Sequence, residues 1–391
     1  MAVKKISYRT VIVIITALLL ALICSAVAYF GTLTAFLISL GVSALTVLWV
    51  AVSFSYFSGL MFADYKLVRF TKALTKQVKE AKTIYIMGHK YSDLDSIGAA
   101  YGLYYAFRGS YNVKMVANKQ NTLARPLIDF LRFSDRECQI FDYNEIKHTL
   151  TKNSLLIVVD THRPIIMDYE EIYKAAGKVI IIDHHRKSED FVDTTVARYM
   201  KSSASSTCEI VTLMIKLMGI EKPTTVAATA LLSGIMLDTK NFVMNTNANT
   251  FRAAAFLRQN RADPVLIRKM FSESVEVCKR KYDIVADVEL FENFAIARTT
   301  DEDQFTRIAT AQAADELLGI NGVSASFVMC PSDGKINVSA RSFGEVDVQK
   351  IMAKLGGGGH KTVAACQIKS DDFTVVEKRL RIAIKEYLNE R

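Results

Sequence analysis

The stretch TIYIMGHKYSDLDSIG, residues 83–98, runs five residues of strand character straight into a histidine and two aspartates. Apolar and β-branched residues at 83–87 predict a short buried strand. Glycine, serine and aspartate then predict a loop, and Ser96–Phe107 reads as a helix. The pattern recurs. NVKMVAN (112–118), LLIVVDT (155–161) and KVIIIDHH (178–185) read as further buried strands. Leu123–Phe133, Ser205–Met218 and Pro223–Leu237 read as helices between or after them. Continuous apolar strands alternating with helices predict an α/β unit with a parallel sheet covered on both faces. Ligands of such sheets bind beyond the carboxyl ends of the strands.

Outside this unit the chain changes character. Thr10–Phe30 and Leu33–Phe62 carry no charged residue and are separated by Gly31-Thr32 alone. At about 1.5 Å per residue each is long enough to cross a bilayer, which predicts an N-terminal transmembrane helical hairpin over 1–62. A cleaved signal peptide fits poorly, because a second apolar run follows at once. Lys4, Lys5 and Arg9 precede the hairpin, Lys66, Arg69, Lys72, Lys76, Lys79 and Lys82 follow it, and the connection has no charge. Both ends are therefore expected on the cytoplasmic side, with the chain multi-pass in a cell membrane. The excess of 49 Lys and Arg over 40 Asp and Glu, +9 overall, is read as membrane topology and attraction of an anionic substrate. Binding to duplex nucleic acid is not expected.

Residues 63–82 repeat Leu67, Phe70, Leu74 and Val78 at helical spacing among lysines and arginines. This predicts a linker helix. It either lies along the lipid bilayer, pairs with its copy in a homodimer, or is simply solvated. The catalytic unit is placed at 83–250, a helical connector at 251–287, and a smaller α+β domain at 288–391 with strands FAIARTT, SASFVMC, KINVSAR and VAACQIK. Helices are expected there at Thr310–Leu318, Val348–Lys354 and Phe373–Asn389. The six cysteines are scattered without a CxxC pair, which suits reduced thiols and neither a zinc site nor a disulfide framework.

Three of the predicted strands end in candidate ligands: His89, Asp93 and Asp95; Asp160 and His162; Asp183, His184 and His185. Asp238 closes an apolar helix. A single aspartate at a strand end is usually a turn or helix cap, as Asp95 would be for the Ser96 helix. Four such events at one edge of one sheet are harder to explain that way. Carboxylates with a few imidazoles suit Mn²⁺, Mg²⁺ or Fe²⁺. Four carboxylates and two imidazoles are enough for two divalent ions, which can activate water and clamp a phosphoryl group.

The motifs HxxxDxD, DTH, DHH and LDT, in that order, resemble the DHH phosphoesterase superfamily, and Gly356-Gly357-Gly358-Gly359-His360 resembles the signature of the DHH-associated domain. The resemblance runs from Thr83 to the C-terminus. It implies His89 and Asp93 on one metal, Asp95, His184 and Asp238 on the other, and Asp160 bridging both. It implies two divalent ions, Mn²⁺ first among them, and His185 on the substrate phosphate. Asp183 and His162 are either orienting partners of the imidazoles or satisfied polar residues. Gly357, Gly358, Gly359, His360 and Arg341 are implied substrate contacts, the glycines by presenting backbone N–H groups to an anion. Ser203 and Ser205 precede a helix; capping comes first and a phosphate contact second. A membrane hairpin before such a unit is similar to the cyclic di-AMP phosphodiesterases of the GdpP type, which form pApA. That family usually carries PAS and degenerate GGDEF domains in between. Here about twenty residues separate the last apolar run from the first strand, too few for a domain, so PAS-based sensing is not expected. The alternative is an oligoribonuclease or pAp phosphatase acting on short linear nucleotides.

Overall fold

In a computed structural model of the protein, the described residues are 64–390 without 189, 192–194, 221 and 304, together with Ser25 and Gly31. Apart from those two residues, the expected membrane hairpin lies outside them. No helix among the described residues is long and apolar enough to cross a membrane.

The first sheet contains β1 (Thr83–Met87), β2 (Val113–Val116), β3 (Ile140–Phe141), β4 (Ser154–Val159), β5 (Lys178–Asp183) and β6 (Ala197–Met200). All neighbours are parallel, in the order β3-β2-β1-β4-β5-β6. The expected α/β unit is therefore present. Every residue of β4 is buried, as a strand covered on both faces should be. The order reverses between β1 and β4, and this opens a crevice at their carboxyl ends. The helices Leu94–Phe107, Thr207–Leu217 and Thr225–Asp238 cover one face. The last of these can approach the first because of Gly234, where a Cβ would lie 2.6 Å from the Asp95 Cα.

The helix Tyr65–Glu80 does not stand free. Its stripe of Leu67, Phe70, Leu74 and Val78 is buried in the same core, beside Tyr199 of β6. That stripe is used within the chain, so it supports neither the bilayer contact nor the homodimer seam expected of it. The stretch 251–287 divides. Ala248–Gln259 and Pro264–Met270 place Ala253, Phe256, Leu257 and Ile267 in the core of the first unit. Val275–Ala286 instead packs Val277 and Ile284 against the second unit.

The second sheet has the order β11-β12-β10-β9-β8-β7. Its strands are β7 (Glu289–Phe291), β8 (Phe294–Arg298), β9 (Ala325–Ser332), β10 (Lys335–Ser342), β11 (Gly358–Gly359) and β12 (Val363–Ile368). Neighbours are antiparallel except β8 and β9. Helices Val348–Lys354 and Phe373–Asn389 cover one face. On the other face Thr306–Leu317 covers β8 and β9. Beside it, the exposed alternation of β10 and β12 lines a cleft of about 780 Å³.

Candidate metal centre

The loop after β1 is shaped by Asp93. It caps the Leu94–Phe107 helix, with Oδ1 accepting from Asp95 N at 2.9 Å and Ser96 N at 3.0 Å. The cap is thus Asp93, and the helix begins two residues before the expected Ser96. Asp95, read as a cap in the simpler interpretation, faces inward and is fully buried. Its two oxygens accept from Thr207 N at 2.7 Å and Cys208 N at 2.8 Å, at the start of the Thr207–Leu217 helix. That positive helix end suits a buried carboxylate.

Asp160, at the end of β4, adopts a left-handed backbone with φ 61°. An aspartate tolerates this conformation better than most residues. Its carboxylate lies between two histidines, with Oδ2 3.4 Å from His89 Nε2 and Oδ1 3.4 Å from His184 Nε2. Thr207 Oγ1 donates to Oδ1 at 3.2 Å. Around this bridge two clusters form. His89 Nε2 lies 3.9 Å from Asp93 Oδ1. His184 Nε2 lies 3.2 Å from Asp238 Oδ2 and 3.9 Å from Asp95 Oδ2. Two of the groups close enough to hold an ion are His89/Asp93/Asp160 and Asp95/His184/Asp238. The six residues named as ligand candidates therefore come together around Asp160, and His185 joins Asp160 and His184 in a third such group.

His185 is adjacent and more open. Its ring centroid is 4.4 Å from that of His184, and Nδ1 is 2.8 Å from Asp183 Oδ1. The other Asp183 oxygen meets His162 Nδ1 at 2.5 Å. His162 Nε2 accepts from Ser188 N at 3.0 Å, so its proton sits on Nδ1, facing Asp183. Asp183 thus orients two imidazoles. Aspartates one step from the metal commonly do this.

The electrostatics favour cations. Burial first, and then the Asp160 charge, push Asp95 up to about 7 and also raise Asp93. Burial and then Asp95 raise Asp238 well above its ordinary value. Burial opposes a charged His184, but the Asp160 hydrogen bond and the surrounding carboxylates win and lift it to about 10. Burial likewise opposes charge on Asp160, and its two histidine partners hold its pKa low. Carboxylates that resist ionisation together, and imidazoles that gain protons, mark a place where negative charge exceeds local compensation. Two divalent ions would supply that compensation.

The remaining candidates are placed differently. Ser206 caps the next helix. Ser205 is buried and donates from N and Oγ to Glu209 Oε2, whereas Ser203 is exposed. In the glycine run, Gly356 N and Gly357 N already donate to Ala353 O and Met352 O, and Gly358 and Gly359 pair with β12. A Cβ on Gly357 would lie 2.3 Å from Ala365 O. Close approach of β11 to β12 therefore accounts for this glycine. His360 is exposed beyond it. Arg341 Nε donates to Asp315 Oδ1 at 3.1 Å, and Lys240 pairs with the same oxygen. Sequence reasoning missed Asp168 as well, which is buried near His89 and accepts from Asn118 N at 2.6 Å.

Residues 83–235 match the model of the DHH family, N-terminal domain, and residues 291–389 match that of the DHHA1 domain. The chain carries a DHH domain followed by a DHHA1 domain. Among DHH relatives, a protein named cyclic-di-AMP phosphodiesterase PdeA from Listeria monocytogenes is 36% identical over 324 residues, covering 81% of this chain and 49% of that protein. The chain thus spans about half the length of the curated relative it matches. The bifunctional oligoribonuclease and PAP phosphatase NrnA of Thermus thermophilus is 28% identical over 312 residues, covering 78% and 90% of the two chains. An exopolyphosphatase-related protein from Bacteroides fragilis shares the fold at a TM-score of 0.67 and 21% identity, covering 82% of this chain and 96% of its own.

Proposed function

We propose that this DHH protein is a membrane-anchored phosphodiesterase that hydrolyses cyclic di-AMP to pApA with two divalent ions, Mn²⁺ in particular. The observation that carries the reading is the Asp160 carboxylate, one oxygen turned to each of two histidine–carboxylate clusters. The similarity to a protein named for this substrate supports the choice of nucleotide. Bound ions at this site would lower the pKa of water and neutralise phosphate charge. His89, Asp93 and Asp160 would hold one, and Asp95, His184, Asp238 and Asp160 the other.

The protein's own groups do the rest. Burial opposes charge on His185, but the Asp183 hydrogen bond and the Asp160 charge raise its pKa. Its Nδ1 is turned to Asp183, so Nε2–H is the donor left for a phosphate oxygen as negative charge develops. Arg341 and the His360 region are the substrate contacts offered by the second domain. The hairpin would hold both domains at the cytoplasmic face of a bacterial membrane.

Hydrolysis of cyclic di-AMP, cyclic di-GMP, pApA and pAp with Mn²⁺, products separated by chromatography, tests this. Cyclic di-AMP turned over fastest, with pApA as product, is the expected result. The likeness to NrnA favours a second reading, an oligoribonuclease or pAp phosphatase. Faster turnover of the linear compounds would establish it in place of the first.

A further inference from the structure

We propose that Lys240 and Arg341, one from each domain, form a single site for the phosphate of the bound nucleotide that is not being cut, and that Asp315 occupies this site until substrate displaces it. The proposal rests on the nucleotide reading above. Asp315 Oδ1 accepts from Lys240 Nζ and, at 3.1 Å, from Arg341 Nε. Within the trio, two cations share one carboxylate oxygen. A phosphate offers several oxygens to the same pair and suits the guanidinium fork better than one carboxylate oxygen does.

Lys240 is aimed by its backbone. It opens a run of three left-handed residues without glycine, with φ 46° at Lys240, 58° at Asn241 and 67° at Phe242. Such a run is rare, and strain of this kind is retained where surrounding contacts impose it. Those contacts are present. Phe242 N donates to Thr239 Oγ1 at 3.0 Å, Asn241 N to Met236 O at 2.8 Å, and Phe242 stacks on Phe251 at 5.7 Å. The turn begins directly after Asp238, which ties Lys240 to the metal cluster.

Arg341 is aimed from the other side. Its Nη1 donates to Ala340 O at 3.0 Å, and its side chain is 13% exposed. It shares one face of β10 with Ser339, Asn337 and Lys335, which line the cleft beside Gly356–Gly358. A nucleotide phosphate at the trio would have that cleft next to it for its base. Lys240 and Asp315 side chains are 40% and 35% exposed, so water reaches the pair. Exposed ion pairs of this kind are weak and readily exchanged.

Calorimetric binding of pApA in Mn²⁺ and KM for cyclic di-AMP would be measured for the full chain, Lys240→Ala and Asp315→Asn. Lys240→Ala should weaken binding and raise KM about tenfold with little change in kcat, and Asp315→Asn should tighten both about tenfold. Tighter binding cannot arise from misfolding. If Asp315→Asn weakens binding as Lys240→Ala does, the trio is only a strap between domains and the proposal fails. Indifference of binding to Lys240→Ala overturns it equally. Binding that follows both substitutions without any cleavage leaves this site standing and overturns the phosphodiesterase reading. Cleavage by a protein indifferent to both does the reverse.

Discussion

Asp160 combines a backbone and a chemical requirement in one side chain. Asparagine in its place keeps the size and the tolerance of a left-handed backbone but removes the charge and one acceptor oxygen. Asp160→Asn is expected to lower kcat/KM by at least about 100-fold, the upper range for losing even an outer metal partner, and to reduce bound metal measured by emission spectroscopy. Asp168 behaves differently. Burial lifts its pKa to about 7, from an ordinary 3.8, and its Oδ1 has no hydrogen-bond partner. The folded chain therefore holds a proton that the unfolded chain loses. Its contribution to stability is present below about pH 4 and is lost as pH rises through 7. In the chelated protein, Asp168→Asn should melt several degrees above wild type at pH 8 and close to it at pH 4. A constant difference across that range would show that its charge is not what matters. The candidate ligands were legible because histidines and aspartates ended apolar strands at fixed spacing. Asp168, Lys240 and Asp315 carried no such signal, since distant parts of the chain give them their neighbours.

At the scale of elements, apolar runs identified β1, β4 and β5, and helix starts fell within four residues, at Leu94, Arg125 and Thr306 against the expected Ser96, Leu123 and Thr310. β6, sequence ARYM, was missed because a four-residue edge strand with an arginine has no apolar run to mark it. The amphipathic helix at 65–80 was readable as a helix, but nothing in a hydrophobic stripe says whether its partner is lipid, a copy or its own core. β11 yields a direct test of the glycine run. Gly357→Ala places a methyl 2.3 Å from Ala365 O and from the Cys366 Cβ, whereas at Gly358 it meets open space. Gly357→Ala should lower stability by about 1–3 kcal/mol, as overpacking does, and Gly358→Ala by less than about 1 kcal/mol. Denaturant midpoints at unchanged slope would measure both. Equal losses would mean that β11 does not sit against β12.

On the scale of the whole molecule, the candidate metal ligands belong to one domain and the glycine run to the other. Ions that bind the folded form alone stabilise it by about 2.7 kcal/mol at a hundredfold excess over Kd. Chelation should therefore lower the melting of the catalytic domain. In native-state hydrogen exchange, amides of β1, β4 and β5 should lose protection when EDTA is added, while those of β9 and β10 change little. Equal loss in both sheets would mean that the two domains unfold as one unit. The division of the 251–287 segment was not legible, because helical periodicity shows that a helix is amphipathic and not which core receives it.

The spread of the ligands along the chain bears on how the protein is made. His89 is the first and Asp238 the last, with Asp160 and His184 between them. During synthesis, no ribosome-bound chain can assemble both clusters until the helix ending at Asp238 has emerged and docked beside Asp95. Until then the carboxylates that have emerged lack their shared partners and remain open to water. The proposed second ion would thus be the last to load, and a full pair of retained ions would report that the helix ending at Asp238 has docked.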